Sequence, residues 1–558
     1  MTGRLCDRFN RRIEADVLVI GGGIAGLLAA IRAREFTDRV VLVDKAKVGR
    51  SGCSPFAAGI YSIFFPDDDL SVWLKEMAIN GDFLNDQEWS KLLCLTSHRV
   101  ASLIDGWAKH ARRSVFDKDS SGQLIRKKSR GHIHTHHCVI NALALMDTLV
   151  QAARDKGVEF IERVMVTDLL MAVDGRAGGA LGFNYLTGDL YSFSARAVIL
   201  AAGGCGFKSI FLGHKNLTGD MQAAAYRIGA EFKNMEQSGS NTCYKDFDIH
   251  GMNLFVNVGG KFINSQGREF MWDYHPVLGS KARLPDLVMA FCREVKEGRG
   301  PIYLDLSAAS CEGQKLCRRV LPESFKAWDR AGINPFLQPV EWVPSFYGTI
   351  ATSGGLNIDL EGRTNLKGLF AAGDATYMCS NGSTGLGGTA LGFGAASGYV
   401  VGERAGKFAT QVPPSGEPRE EHGQERVLGP LLKARGPHPD ELILKLQRLL
   451  IRVPVVYLKT PEELKRSLAD LENLDALAEE AKAEDLHQLV KCHEVKNMIG
   501  VARLFLQASL FREESRGFHF REDFPLTDNK NWLKWVCQRE VGSELSTWGE
   551  DIPLPYVR

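Results

Sequence analysis

No Cys-x-x-Cys pair occurs among the 12 cysteines of this 558-residue chain, and Cys311 and Cys317 stand alone as a near pair. An iron–sulfur cluster or a cysteine-based zinc site takes clustered ligands, so neither is expected within the chain. The cysteines read instead as reduced, small core residues. An excess of one charge is missing too: the formal net charge of +1 gives no support to a nucleic-acid or anionic-membrane partner. No apolar run reaches the ~18 residues of a membrane helix; Val17 to Ile31 is short and glycine-rich. There is no secretory hydrophobic region at the N-terminus, and Arg11-Arg12 leads into an acidic residue and then an apolar strand. A cytoplasmic location is therefore expected, with membrane association only through a partner.

What the chain does have is Asp16-Val-Leu-Val-Ile-Gly-Gly-Gly-Ile-Ala-Gly26. An apolar strand runs into Gly21-x-Gly23-x-x-Gly26, helical character follows, and 18 residues past Gly26 a second apolar run, Val40 to Val43, ends in Asp44. Gly21 makes the tight turn, Gly23 lets backbone amides approach a pyrophosphate, and Gly26 lets the helix pack on the strand. The helix N-terminus faces the phosphates, and Asp44 accepts hydrogen bonds from a ribose. A lone glycine fingerprint is weak, but with both strands and the acid at the right interval it predicts a site for FAD or NAD(P).

The length suits about three or four domains. Asp69 to Arg113 and Ile140 to Lys156 have helical spacing, Val158 to Leu170 and Val198 to Ala202 read as strand, and Gly182 to Phe193 reads as a hairpin around Thr187-Gly188. The texture changes to short strands, aromatics and turns from about Glu231 to Phe346, which suggests an insert. Gly368 to Asp374 then reads as strand and turn, and Gly385 begins a long small-residue helix. The expected division is a cofactor domain over 1–231 and 347–411, an insert over 232–346, a Pro- and Gly-rich linker over 412–439, and a helical domain with tail over 440–558.

With these parts in order, the chain resembles the flavoprotein subunits of succinate dehydrogenase, fumarate reductase, aspartate oxidase and adenylylsulfate reductase. The further motifs are Arg50-Ser-Gly-Cys53, Ala201-Ala-Gly-Gly204, Thr218-Gly-Asp220, Gly259 to Asn264, Gly267 to Phe270, Glu297 to Pro301, Gly387-Gly388 and Glu514-Ser-Arg-Gly517. The resemblance implies an α/β Rossmann-like FAD-binding domain, an inserted α+β capping domain and a C-terminal helical domain. It implies noncovalent FAD, because covalent members place a histidine where Gly52 stands; the Arg-Ser-Gly form is that of adenylylsulfate reductase-like members. By position it assigns to the cofactor Gly21, Gly23, Gly26, Asp44, Lys45, Arg50, Ser51, Gly52, Cys53, Gly59, Val166, Ala202, Gly203, Thr218, Asp220, Gly373 and Asp374. Ala390 and Leu391 would turn helix N-terminal amides toward the flavin pyrimidine.

The substrate residues of the dicarboxylate members are missing. Ile350 stands at one histidine position, Asn381 at another, Gly385 at the carboxylate-binding arginine and Pro285 at the proton-delivering arginine. Arg283, two residues away, would substitute only with a register shift. Asn241, Thr242, Tyr244, Ser353, Asn381, Ser383 and Thr384 are polar but neutral, which suits an uncharged, larger or differently anchored substrate. Cys53, Cys205 and Cys379 are expected near the flavin, as buried thiols or as a reactive one. His132, His134 and His136 would share one face of an extended segment, open to three uses: a solvated or stacking segment, a three-histidine metal site, or proton transfer through His136. The charges around Glu514 to Asp523 read as a structural ion network. Candidate catalytic residues are thus Arg283, His136, Asn381 and Tyr244, and no metal is expected. The resulting expectation is an FAD oxidoreductase subunit that hands electrons to an iron–sulfur partner. A stand-alone oxidase or desaturase, or an electron-transfer subunit without its own substrate, stands beside it.

Overall fold

An unbroken apolar run is stable as a strand only where both faces are covered, and β1 (Arg11–Ile20) meets that condition. Leu18 and Ile20 enter a core shared with the C-terminal helices, while Val17 and Val19 enter a second core with the helix that follows. β2 (Val40–Asp44) divides in the same way, with Val41 and Val43 on one side and Val40 and Leu42 on the other. The structure, a computed structural model, describes residues 11–558 except 58, 129–130, 210–212, 240–241, 248, 250–251, 345–350, 353, 415–422 and 543. Ile350, Ser353 and Asn241 lie outside the described residues.

The main sheet adds β3 (Glu159–Glu162), β4 (Val164–Met171), β5 (Ala177–Asn184), β6 (Leu190–Leu200) and β7 (Leu369–Ala371) in the order β3-β2-β1-β6-β5-β4. β1, β2, β3 and β6 run parallel, as does β7 along the end of β6. β4, β5 and β6 form an antiparallel excursion through the predicted hairpin. This is the expected Rossmann-like cofactor domain. The helices α1 (Ile24–Ala33) and Thr389–Gln411 pack on one face, and the former begins just after Gly23 and contains Gly26.

The insert has its own four-stranded antiparallel sheet, in the order Thr242–Tyr244, Val340–Pro344, Tyr303–Asp305, Lys261–Ile263. Its separate core is aromatic, with Phe255, Phe262, Phe291, Trp328 and Trp342 fully buried. Phe232–Lys233, at the expected start of the insert, instead pairs with Gly355–Leu356 and with Lys534–Val541 of the tail. The hairpin Lys534–Val541/Glu544–Asp551 lies in the stretch expected only as the tail of the helical domain. Similarly, Gly423–Leu432, inside the expected linker, is helix.

Helices Pro439–Leu450, Pro461–Glu479 and Leu486–Phe511 form the C-terminal bundle. Local chemistry sets their ends: the Thr460 hydroxyl accepts the Glu463 amide, and the Asp485 carboxylate accepts that of Gln488 at 2.7 Å. Beyond the bundle the charges form the expected network. Arg512, with no exposed side-chain surface, reaches Glu236 at 2.9 Å and Glu514 at 2.7 Å, and Arg516 reaches Glu514 at 2.8 Å. Removing one partner of a buried pair strands the others, at about 3–5 kcal/mol. Glu514→Ala should therefore lose about that much of the C-terminal domain's stability; a denaturant titration with an unmoved midpoint would contradict the role given to this carboxylate.

Candidate functional site

Gly26 sets the geometry of the site, because a Cβ there would lie 1.8 Å from the Gly21 carbonyl oxygen. Only hydrogen allows α1 to approach the end of β1 this closely. Gly21 has φ +112°, a conformation open to glycine, and a Cβ there would meet the Ala201 carbonyl at 2.4 Å. The N-terminus of α1 is thereby aimed into a cavity of about 430 Å³, whose walls include Gly21, Gly23, Asp44, Ser51 to Cys53, Val166, Ala202, Gly203, Asp220, Gly373, Asp374, Ala390 and Leu391.

Asp44 Oδ2 accepts the Gly22 amide and Oδ1 the Ala46 amide, both at 2.6 Å. Each oxygen keeps lone-pair capacity for a ribose hydroxyl. Burial pushes the Asp44 carboxyl pKa up, and these amides oppose it. On the far wall, burial pushes Asp374 up to about 6. The helix Thr389–Gln411 makes its first helical bond from the Gly392 amide to the Gly388 carbonyl (3.1 Å). Ala390 and Leu391, whose amides precede that bond, line the cavity. Two helix N-termini therefore point at one cavity, an arrangement suited to a group carrying phosphates at one end and an electron-accepting ring at the other.

Several expected cofactor residues are placed differently. Lys45 lines the cavity, but its ammonium is held by Asp220 (2.8 Å), Glu494 (2.9 Å) and Thr218 (2.9 Å). Burial works to lower its pKa, and the two carboxylates outweigh it. Lys45, Thr218 and Asp220 thus clamp the cofactor domain to the C-terminal bundle, with Lys208 on the other Glu494 oxygen at 2.6 Å. Arg50 points away to Asp147 at 2.6 Å, and Gly59 accepts the Ile140 amide outside the cavity walls. Ser54, which sequence reasoning missed, has its hydroxyl oxygen 3.1 Å from the Ile24 amide at the start of α1. No fingerprint spacing marks such a residue, since it arrives from a separate loop.

The four catalytic candidates do not converge on the cavity. The Tyr244 hydroxyl donates to Asp246 at 2.8 Å, and its ring packs on Phe247 and Trp328 in the insert's core. Asn381 is buried in the turn against Gly81, where its amide donates to the Met378 carbonyl at 2.7 Å. Arg283 is held by Asp82 (2.9 Å) and Asp286 (3.2 Å). His136 sits between Phe65 and Trp73, with Nε2 3.4 Å from Asp68.

Nor does the histidine run alternate as a strand. Residues 132–136 are irregular, His134 is exposed, and His132, His136 and His137 are buried. Among the described residues no three metal-ligating side chains come together. Burial lowers the pKa of all three inner histidines, that of His137 to about 4. His132 alone touches the site's scaffold: its Nε2 donates to the Gly387 carbonyl at 2.8 Å, just before the Ala390–Leu391 amides. Burial also pushes the Cys53, Cys205 and Cys379 thiols up, which keeps them protonated and disfavours a nucleophilic thiol.

A family model described as an FAD binding domain matches residues 16–391, and one described as fumarate reductase flavoprotein C-term matches residues 445–547. One of the subunits of the fumarate reductase (CoM/CoB) of Methanothermobacter marburgensis is 29% identical over 540 residues, covering 92% of this chain and 95% of that protein. The FrdA chain of E. coli quinol fumarate reductase superposes with a TM-score of 0.88 at 22% identity, covering 98% and 99% of the two chains. Adenylylsulfate reductase of Archaeoglobus fulgidus gives 0.83 at 20%, covering 99% and 98%. These two structures share the fold. Among the described residues no helix is long and apolar enough to cross a membrane.

Replacing Asp44 by alanine should weaken FAD binding by about 1–3 kcal/mol, through loss of charge-assisted hydrogen bonds. Flavin occupancy titrated at limiting FAD reads this directly, and wild-type occupancy in Asp44→Ala would remove the ribose role.

Proposed function

Because this chain belongs to the FAD-binding family of fumarate reductase and succinate dehydrogenase flavoproteins, we propose that it is an oxidoreductase subunit that exchanges hydride with a small substrate other than succinate or fumarate and passes electrons to an iron–sulfur partner. FAD is its cofactor. Bound FAD supplies hydride exchange with a substrate and electron release one at a time. The chain's residues supply the setting. Asp44 would hold the ribose, and the Ala390 and Leu391 amides would favour negative charge on the ring. Gly52, in the loop that lines the cavity, offers no nucleophile, which supports noncovalent attachment. The cytoplasmic location expected from the sequence belongs to the same reading.

The substrate part of the proposal rests on Gly385. A Cβ at this position would lie 2.3 Å from the Thr389 hydroxyl oxygen and 2.8 Å from Asn381 Cγ, so an arginine fits only if the Thr389 and Asn381 side chains move. Arg283, the nearest replacement, has its guanidinium engaged by two carboxylates. A dicarboxylate therefore lacks the bidentate clamps that bind it elsewhere in the family. For this reason the reaction in the name of the Methanothermobacter relative is not carried to this chain.

The partner is supported by that relative's name, which makes it one component of a larger enzyme, and by the scattered cysteines of this sequence. Losing two carboxylate clamps forfeits several kcal/mol, on the order of a thousandfold or more in rate. Assays with succinate and with fumarate should accordingly give negligible turnover, and a rate near ~10 per second with either overturns the substrate assignment. Purification from the native host should recover a small cysteine-rich protein in near-equal amount. Recovery of the flavoprotein alone, with its reduced flavin rapidly reoxidised by oxygen, would favour a stand-alone oxidase.

A further inference from the structure

Helix Leu70–Asn80 ends in an unusual way. Asp82 and Phe83 both take left-handed backbone angles, φ 52° and 59°, while the Phe83 amide donates to the Ala78 carbonyl at 2.8 Å. Glycine closes a helix in this conformation at least cost, and an aspartate there adds only its carboxylate. That carboxylate is fully used. Its Oδ2 accepts the Ser383 hydroxyl at 2.5 Å, and its Oδ1 accepts Arg283 Nη1 at 2.9 Å. The backbone carbonyl of Asp82 accepts Arg516 Nη1 at 3.0 Å.

These partners come from different domains. Ser383 belongs with Asp82 to the cofactor domain, Arg516 to the C-terminal tail, and Arg283 to the N-cap position of helix Leu284–Lys296 in the insert. That helix carries two more cations facing the tail: Arg293 lies over the Phe520 ring at 4.9 Å, and Lys296 pairs with Glu522. The Lys296 pair is exposed and screened, so it contributes little. Arg283 and Asp82 are only 28% and 19% exposed at the side chain.

We propose that the Asp82–Arg283 pair is the latch that holds the insert closed over the cofactor domain, and that Asp82 keeps its strained backbone in order to present it. The inference rests on this geometry and on no choice of substrate. Arg283 also contacts Asp286, but that contact lies within the insert's own helix and cannot hold two domains together. Asp286 is therefore the internal control.

The test is a distance measurement by pulsed electron paramagnetic resonance on the flavin-loaded protein. Spin labels go on cysteines at Val277 of the insert and Val173 of the cofactor domain, which are 81% and 73% exposed, in a Cys6→Ser, Cys311→Ser background; Cys311 is the exposed thiol among the described residues, and Cys6 lies outside them. Losing a hydrogen bond between charged groups shifts an equilibrium by about tenfold or more. Asp82→Asn should raise the ratio of long-distance to short-distance population by about that factor, and asparagine tolerates the left-handed backbone. Arg283→Gln should do the same from the other side, the double variant should add little to either, and Asp286→Asn should leave the distribution unchanged. If Asp82→Asn fails to retain flavin, Arg283→Gln decides alone. An unchanged distribution in Arg283→Gln, or an equal shift in Asp286→Asn, overturns the latch.

Discussion

The missing side chain of Gly26 is the constraint on which the site depends. With hydrogen alone at that position, α1 closes to contact with the turn at Gly21, and its free amides face a cavity instead of the helix's own loop. Asp44 then falls beside Gly22 because β2 runs parallel to β1 in register, Ile20 opposite Val43. The opposite wall is built the same way, by a helix beginning at Gly388 whose first amides face the same space. Two polar helix ends, held by apolar packing, make a site for a ligand with phosphates and an electron-accepting ring.

Charge, in turn, holds the domains together. Lys45, Asp220, Glu494 and Lys208 join the cofactor domain to the bundle as two cations and two anions in alternation. The tail adds Glu236–Arg512–Glu514–Arg516, and the last arginine reaches the Asp82 carbonyl. Buried ions of this kind are poor sources of net stability but unforgiving of partial loss, so they specify one arrangement of the domains more than they strengthen it.

Much of this was legible in the sequence, for identifiable reasons. Gly21, Gly23 and Asp44 belong to a local motif whose spacing follows from strand and helix geometry, Ala390 and Leu391 were assigned by the family resemblance, and all five line the cavity. The ion pairs of Lys45, which lines the cavity, were not legible because adjacency to Asp44 in sequence says nothing of Glu494, which arrives from a helix more than four hundred residues away. His134 broke the expected alternation because the Glu76 carboxylate binds the backbone of His134 and Thr135 and turns the segment out of strand geometry. The tail hairpin escaped notice because its outer strand, Glu544–Asp551, carries mostly polar and acidic residues without the apolar alternation that marks a half-buried strand.

That hairpin bears on how the chain is made. Lys534–Val541 pairs with Phe232–Lys233, which also pairs with Gly355–Leu356, so the sheet at the root of the insert joins three distant segments, the last near the C-terminus. β1 likewise waits for β6, about 180 residues later. During synthesis the nascent chain holds unpaired strand edges and unpartnered buried arginines until the tail leaves the ribosome. In a chain of this topology the edge at Phe232–Lys233 stays open to aggregation until Lys534–Val541 has been made, about 300 residues later, and that strand closes the sheet at the root of the insert.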